Sequence, residues 1–427
     1  MEYMQQIMAE NGYMIVPFDT KSDIYVINTC TVTNIADRKS RQMIHKAKKQ
    51  NPDALIVAAG CYAQTDTQGA VDDGFADIII GNNNKAKLPE IIKEYFDNKE
   101  KAVEVHDIST DPEYEDMCLK ESAVRTRCFV KIQDGCNQFC SYCAIPLARG
   151  RIRSRKPEEV IKEVKNIVAN GCKEIVLTGI HVSSYGIDFH PDENGKIKSY
   201  NELTKDGGFF NEDLINVIKE CAAIEGLLRI RLSSLEPGLL TDRFLSELSG
   251  VDKICPHFHI SLQSGCDETL KRMNRRYTAK EYEEAIGRLR SHFDDPAVTT
   301  DVIAGFPGET NEEFEATKEF VRKIGFFELH VFKYSKRKNT VAATMKGQVS
   351  EPVKATRSAK LIELGEELSR EFCKRYKGRE VEVLFEEEKD GFYQGHTREY
   401  LVVKKASSED LSGKVETLSF DGNYCKI

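Results

Sequence analysis

Three cysteines, Cys136, Cys140 and Cys143, fall within eight residues in Gly135-Cys-Asn-Gln-Phe-Cys-Ser-Tyr-Cys-Ala144, at the spacing C-x3-C-x2-C. Three thiolates can hold three irons of a four-iron, four-sulfur cluster and leave the fourth iron open to a substrate, whereas clusters that only carry electrons usually take four cysteines. Two other uses of these thiols compete. A disulfide with a spare thiol conflicts with a chain that shows no signal peptide or apolar span, because cytosolic thiols stay reduced. A structural zinc site wants four ligands, usually in paired C-x2-C halves, and the nearest further sulfur, Cys128, lies on what reads as a strand leading into the loop.

A loop of this kind needs rigid elements behind it, and 427 residues allow two or three domains with ample core. The chain is 40% hydrophobic and 30% charged, and no stretch approaches the roughly 20 apolar residues that cross a membrane. A cytoplasmic enzyme with no membrane role is the expectation. Thirteen cysteines in a reduced chain argue for metal sites plus buried structural thiols. The net charge of −8 speaks against nucleic acid only as an average. Arg38, Lys39, Arg41, Lys46, Lys48 and Lys49 form one basic segment; Arg149, Arg151, Arg153, Arg155 and Lys156 follow the cysteine loop; Lys374, Arg375, Lys377 and Arg379 make a third. Each alone reads as a solvated face; three together point to a phosphate-rich partner.

Residues 1 to about 118 alternate strand and helix: a helix over Met1–Asn11, strands over Asp23–Asn28, Ala54–Ala59 and Ala76–Ile80, and a helix over Ile35–Lys49. This pattern predicts a parallel α/β sheet with ligands beyond the carboxyl ends of its strands, where Cys30 and Cys61 fall. The domain opens with a helix where a doubly wound sheet opens with a strand, so a strand is expected to be missing. The acidic stretch 113–121 reads as a linker.

From 119 to 368 the alternation continues. Strands are expected over Cys128–Ile132, Glu174–Leu177, Leu228–Leu232, His257–Leu262, Val298–Ile303 and Phe327–Phe332, with helices over Pro157–Asn170, Asn211–Ala223, Ala279–Phe293 and Asn311–Ile324. Six such units predict a partial (βα)6 barrel whose site occupies the loops after the strands. A long helix, Pro352–Tyr376, leads into 369–427, where short strands punctuated by Asp390-Gly391, Ser412-Gly413 and Asp421-Gly422 predict a small all-β barrel.

The remaining strand ends carry residues suited to a polar cofactor. Gly179 follows the second barrel strand and admits a close backbone approach. Ser233, Ser234 and Glu236, then Ser261, Gln263 and Ser264, offer hydroxyl, amide and carboxylate groups that serve equally as loop caps. Asp301-Val-Ile-Ala-Gly-Phe-Pro-Gly-Glu-Thr310 is more specific: Gly305 and Pro307 shape a stiff turn against which an adenine could press. His330 and Tyr334 point toward the same rim, although His330 reads equally as a satisfied core histidine, and neither is assigned a catalytic role.

The cysteine loop, with Tyr142 before its third thiol, resembles the radical S-adenosylmethionine (SAM) superfamily. Read with Asn28-Thr-Cys, Gly60-Cys-Tyr-Ala-Gln, Ala148-Arg-Gly-Arg-Ile-Arg-Ser-Arg155, Leu262-Gln-Ser-Gly and Ala304-Gly-Phe-Pro-Gly-Glu, nearly the whole chain resembles the methylthiotransferases. Ile145-Pro-Leu-Ala-Arg-Gly150 and His330-Val-Phe-Lys-Tyr-Ser-Lys-Arg337 are most similar to those acting on N6-threonylcarbamoyladenosine at position 37 of tRNA, and the tail resembles the RNA-binding TRAM domain. The resemblance implies two [4Fe-4S] clusters and SAM. One cluster, on Cys136, Cys140 and Cys143, splits SAM to a 5′-deoxyadenosyl radical; a second, involving Cys30 and Cys61, carries the sulfur. It implies a methylthio group placed at C2 of the adenosine. The implied partners are a tRNA anticodon stem-loop and an electron donor such as flavodoxin or ferredoxin, with no DNA. Gly179, Ser234, Glu236, Ser261, Gln263, Gly305 and Pro307 would hold SAM.

Members of that family carry a further cysteine in a Gly-Cys-x-x-Asn-Gln motif after the opening strand, and this chain begins beyond that motif, so a truncated chain with a poorly held second cluster is expected. Cys118 or Cys128 could substitute, although Cys128 reads as a buried hydrophobe, like Cys172, Cys221, Cys255, Cys266, Cys373 and Cys425. Competing targets are isopentenyladenosine in tRNA or a ribosomal-protein aspartate. A non-catalytic RNA-binding protein with a structural metal is the reading from another class.

Overall fold

The computed structural model describes residues 2–31, 33–72, 74, 76–109, 114–115, 126–205 and 209–423. Cys118, Cys425 and most of the acidic stretch 113–121 lie outside the described residues. The chain divides into two compact units: one of 1–121, 134–153 and 335–344, the other of 122–133, 154–334 and 345–427.

In the first unit, helix α1 (Glu2–Glu10) precedes strand β1 (Ile24–Thr29), helix α2 (Asn34–Gln50), strand β2 (Leu55–Gly60), helices α3 (Cys61–Thr65) and α4 (Thr67–Asp72), strand β3 (Ile78–Ile80), helix α5 (Leu88–Asn98) and strand β4 (Ala102–Glu104). The strands form one parallel sheet in the order β1-β2-β3-β4. β2 is buried along its length, as a parallel strand covered on both faces must be. Its alternate residues enter two cores: Ile56 and Ala58 pack with Tyr25 and Ile44, Leu55 and Val57 with Met4, Ile78 and Ile92. Thr33 caps α2 by accepting the Ala36 N–H, which fixes where the chain leaves β1.

The second unit begins with β5 (Arg127–Lys131). The two-residue strands β6 (Gln133–Asp134) and β7 (Arg153–Ser154) flank the cysteine loop in sequence; the loop, within residues 134–153, belongs to the first unit and contains helix α6 (Ile145–Arg149). Then follow α7 (Pro157–Ala169), β8 (Glu174–Thr178), α8 (Tyr200–Thr204), α9 (Glu212–Ala222), β9 (Arg229–Leu232), α10 (Asp242–Ser249), β10 (His257–His259), α11 (Asp267–Arg272), α12 (Ala279–His292), β11 (Ala297–Ala304), α13 (Asn311–Ile324), β12 (Glu328–Lys333) and α14 (Glu351–Tyr376). Two parallel three-stranded sheets, β5-β8-β9 and β10-β11-β12, are joined by the single bridges Ile230↔Ile254 and Leu235↔Ile260. Val130, Ile175, Ile230, Phe258 and Val302 bury their side chains in one continuous core with the helices. Capping boxes at Thr278/Glu281 and Thr310/Glu313 start α12 and α13.

The tail forms β13 (Glu380–Lys389), β14 (Phe392–Thr397), β15 (Val402–Lys405) and β16 (Val415–Ser419), an antiparallel sheet in the order β15-β14-β13-β16. Gly391, Gly413 and Gly422 all take positive φ, as the turn signals require. This sheet belongs to the same unit as the parallel sheets and is fastened to them. Arg229 donates to Glu382 and to the His396 carbonyl at 2.8 Å, and Arg231 donates to Glu174 and to the Thr397 carbonyl. Tyr400 is stacked between His257, at 4.7 Å, and His396, at 4.5 Å.

Candidate active site

In the first unit the sheet register brings two predicted thiols together. Thr29 and Gly60 are partners across β1 and β2, so Cys30 and Cys61, each the next residue, leave adjacent strand ends side by side. Cys30 is exposed and its N–H donates to Ser40 Oγ; Cys61 is buried at the first position of α3. Gly60 holds φ +105, and a Cβ there would meet Asn28 Oδ1 and the Thr29 carbonyl at 2.8 Å.

Cys61 lies among donors that the sequence reading did not assign to it. Arg149 Nε is 3.2 Å from its sulfur and Asn82 Nδ2 3.4 Å; Asn82 also donates to the Ala148 carbonyl at 2.6 Å and accepts from buried Lys85. Arg149 in turn reaches Asp134 Oδ2 at 3.3 Å. Burial works against the Arg149 charge, and the Asp134 carboxylate and the Cys61 thiol outweigh it, so its pKa is raised. Asn82 lies two residues past the end of β3, much as Cys30 and Cys61 lie one residue past β1 and β2, and that strand-end placement was the available signal.

The cysteine loop turns at Gly135, with φ +69, where a Cβ would lie 1.7 Å from the Arg151 carbonyl oxygen. The Cys136 N–H donates to the Gly150 carbonyl, closing the loop, and Phe139 adopts φ +51. Backbone amides face the sulfurs: Gln138 N is 3.5 Å from Cys136 Sγ and Ile145 N 3.4 Å from Cys143 Sγ. Cys140 accepts the Cys143 N–H through its carbonyl.

In the second unit the predicted cofactor residues gather at the ends of β8 to β11. Gly179 lies against Gln133, whose Oε1 accepts the His181 N–H at 2.8 Å; a Cβ on Gly179 would come within 2.9 Å of that oxygen. Ser234 is half-buried. Glu236 is already engaged: Arg275 donates to both its oxygens, at 2.7 and 2.5 Å, and His181 Nε2 lies 3.7 Å away. Tyr277 donates to the Ser261 carbonyl at 2.7 Å. Gln263 sits at φ +66, bridged to β11 through Asp301 and Ile303. Gly305, at φ +74, donates to Glu309, and the Pro307 carbonyl accepts from Arg272. Tyr334 is buried against Phe306, and His330 lies beside His259.

The basic segment after the cysteine loop is largely interior. Arg153 and Arg155 are buried, the first donating to the Arg149 carbonyl and Asn83, the second paired with Glu163. Arg151, which stacks on Phe139, and Lys156 are the exposed members.

Residues 130–321 match the radical SAM superfamily, and residues 1–81 match the uncharacterized protein family UPF0004. The threonylcarbamoyladenosine tRNA methylthiotransferase MtaB of Bacillus subtilis is 41% identical over 97% of this chain and 89% of its own length. The chain belongs to the radical SAM methylthiotransferase family. The Aquifex aeolicus enzyme of the same description is 37% identical over 98% of this chain and 96% of that relative. The tRNA-2-methylthio-N(6)-dimethylallyladenosine synthase of Carboxydothermus hydrogenoformans is 35% identical over 97% and 91%. Among solved structures, the radical SAM methyltransferase TsrM of Kitasatospora setae shares the fold at a TM-score of 0.55 and 14% identity, covering 80% of this chain and 73% of that one.

A radical SAM methylthiotransferase uses a [4Fe-4S] cluster and SAM, and the residues present fit both. The loop offers three thiols with amide N–H groups aimed at two of them, the donors that stabilise thiolate charge on a cluster. Among the described residues no three such side chains converge on a single ion, which a cluster does not require, because each thiolate takes its own iron. At the strand ends, Ser233 Oγ and Tyr334 Oη are buried with no hydrogen-bond partner among the described residues, and such groups call for a ligand. For the second cluster the described residues supply two adjacent thiols, Cys30 and Cys61, in a cationic setting.

Proposed function

We propose that this protein installs a methylthio group at C2 of N6-threonylcarbamoyladenosine at position 37 of tRNA. The carrying observation is the pair of near full-length relatives at 41% and 37% identity, both named for that nucleoside. Ring C2–H bonds have no acidic proton for a side-chain base, so the cluster and SAM, when bound, would supply the radical chemistry this position requires. The protein's own residues position and exclude water. Cys136, Cys140 and Cys143 hold the radical cluster. Cys30 and Cys61 hold sulfur chemistry, with Arg149 and Asn82 balancing thiolate charge. Gly179, Ser234, Ser261, Gln263, Gly305 and Pro307 line the SAM site. Glu236 acts there through Arg275: with its carboxylate tied to that guanidinium, it orients a cation for the SAM carboxylate instead of accepting from SAM itself.

On this reading residues 1–118 are the methylthiotransferase domain, 119–368 close as a partial (βα)6 barrel, and 369–427 form a TRAM-like domain gripping the anticodon stem-loop. Flavodoxin or ferredoxin supplies the electron, in the cytoplasm; no described helix is long and apolar enough to cross a membrane. The test is an anaerobic reaction with iron-loaded protein and tRNA bearing the threonylcarbamoyl group, read for 5′-deoxyadenosine and modified nucleoside together. Cys140→Ala should abolish both products. Cys30→Ala and Cys61→Ala should keep 5′-deoxyadenosine and lose the methylthio nucleoside. Retained SAM cleavage in Cys140→Ala would refute the assignment.

A further inference from the structure

Strands β10, β11 and β12 are parallel neighbours in which His259 faces Thr299 and Asp301 faces His330. Val298, Val302 and Ala304 of β11 enter the main core. Strand alternation therefore sends Thr299, Asp301 and Ile303 to the opposite face, in register with Glu328, His330 and Phe332. A parallel strand covered by helices is normally apolar on both faces. This face instead mixes polar and aromatic side chains and is open toward the strand ends: Thr299 is buried, but the Asp301 side chain keeps 30% exposure and Phe332 is 42% exposed. On β5, Phe129 is 59% exposed in mid-strand. Uncovered aromatic rings and polar side chains on inward faces are the lining of a ligand site.

The polar groups are held in order. His259 Nδ1 is 3.0 Å from Thr299 Oγ1 and its Nε2 is 3.5 Å from Asp301 Oδ2, so both ring nitrogens are engaged. The His330 ring stacks on it at 5.5 Å with 28° between planes. None of these residues belongs to the cysteine loop or to the Glu236–Arg275 pair.

We propose that His330, Asp301 and His259 read the N6 substituent of the target adenosine and select an arm carrying N–H, hydroxyl and carboxylate groups over a hydrocarbon one. This rests on the tRNA reading above and deepens it. Asp301 and Glu328 accept from the arm's N–H and O–H groups, and the His330 imidazole donates to its carboxylate. A dimethylallyl arm would leave those groups desolvated and unpaired, and sites built to hydrogen-bond discriminate strongly against analogues lacking the partner.

The test measures affinity of the iron-loaded full chain, without oxygen, for three anticodon stem-loops differing only at position 37: threonylcarbamoyladenosine, dimethylallyladenosine and adenosine. The unaltered chain should prefer the first. His330→Leu and Asp301→Leu should each lower that preference by about ten- to a hundredfold, while His330→Gln, which keeps a donor, retains most of it. SAM cleavage without RNA is followed alongside. Equal binding of the three RNAs by the unaltered chain, or a preference unmoved in both leucine variants, overturns the proposal. Loss of SAM cleavage in step with affinity also overturns it and gives the cluster to SAM. Intact arm preference with no methylthio product would defeat the proposed activity and leave this inference standing.

Discussion

Burial decides the protonation of His181. Its ring is enclosed beside Tyr200 and Arg275, and loss of hydration pushes its pKa down to about 4, with Glu236 opposing and Arg275 assisting. An imidazole whose folded pKa lies below its unfolded value of about 6.5 stabilises the fold fully above that value, and the contribution is lost as pH falls from about 6.5 to 4. The gap corresponds to about 3 kcal/mol at its limit. Urea midpoints at pH 7 and pH 4.5 should therefore fall further for the parent chain than for His181→Asn. Equal acid losses in the two proteins would show that His181 titrates as it does in water. Arg149 is the other decisive single residue, because its guanidinium joins Cys61 to Asp134, two positions before Cys136. In sequence it was one of five basic residues near the loop. What separates it from Arg151 is the pair of partners it meets, Cys61 being distant in the chain.

At the scale of elements, the cysteine loop depends on Gly135. Any side chain there must accept φ +69 and displace the Arg151 carbonyl. Gly135→Ala should strip iron from the loop while far-ultraviolet circular dichroism stays that of the parent, and full iron content would contradict this. Several strands and helices were legible as buried apolar runs: β1, β2, α2, α13 and α14 fall within a residue or two of their expected spans, since burial on both faces and capping boxes leave a local record. The α/β organisation was likewise legible, as was a tail of short strands, which pair as a four-stranded antiparallel sheet. Helix α5 and strand β4 were not singled out, the strand being three residues long and half exposed. The burial of Arg153 and Arg155 was not legible, because a charge run looks solvated until Glu163 and Asn83 are brought beside it. Glu236 illustrates the same limit, since only the fold reveals that Arg275 engages its carboxylate.

For the whole molecule, the tail sheet completes the unit that carries the predicted SAM residues. Arg229 and Arg231 are buried and depend on Glu382 and on the carbonyls of His396, Thr397 and Arg398. Removing 378–427 should destabilise the second unit, because it strips Val381, Val383 and Phe385 from the core they share with Phe327 and Phe372 and leaves Arg229 and Arg231 with Glu174 as their one remaining acidic partner among the described residues. A stable, SAM-binding remnant would refute this. Basic contacts to RNA are better tested on the surface: Lys374→Gln with Lys377→Gln should weaken tRNA binding and flatten its salt dependence by about two counterions. An unchanged slope would free those lysines of phosphate contact.

The Tyr400 ring between His257 and His396 has a bearing on engineering. A tail borrowed from a sibling enzyme arrives without the complement to these arginines and imidazoles. Such chimaeras need their seam drawn through the residues of both parents that face the parallel sheets, with Arg229, Arg231, His257 and Arg127, which donates to the Tyr400 hydroxyl at 2.8 Å, transplanted as a set.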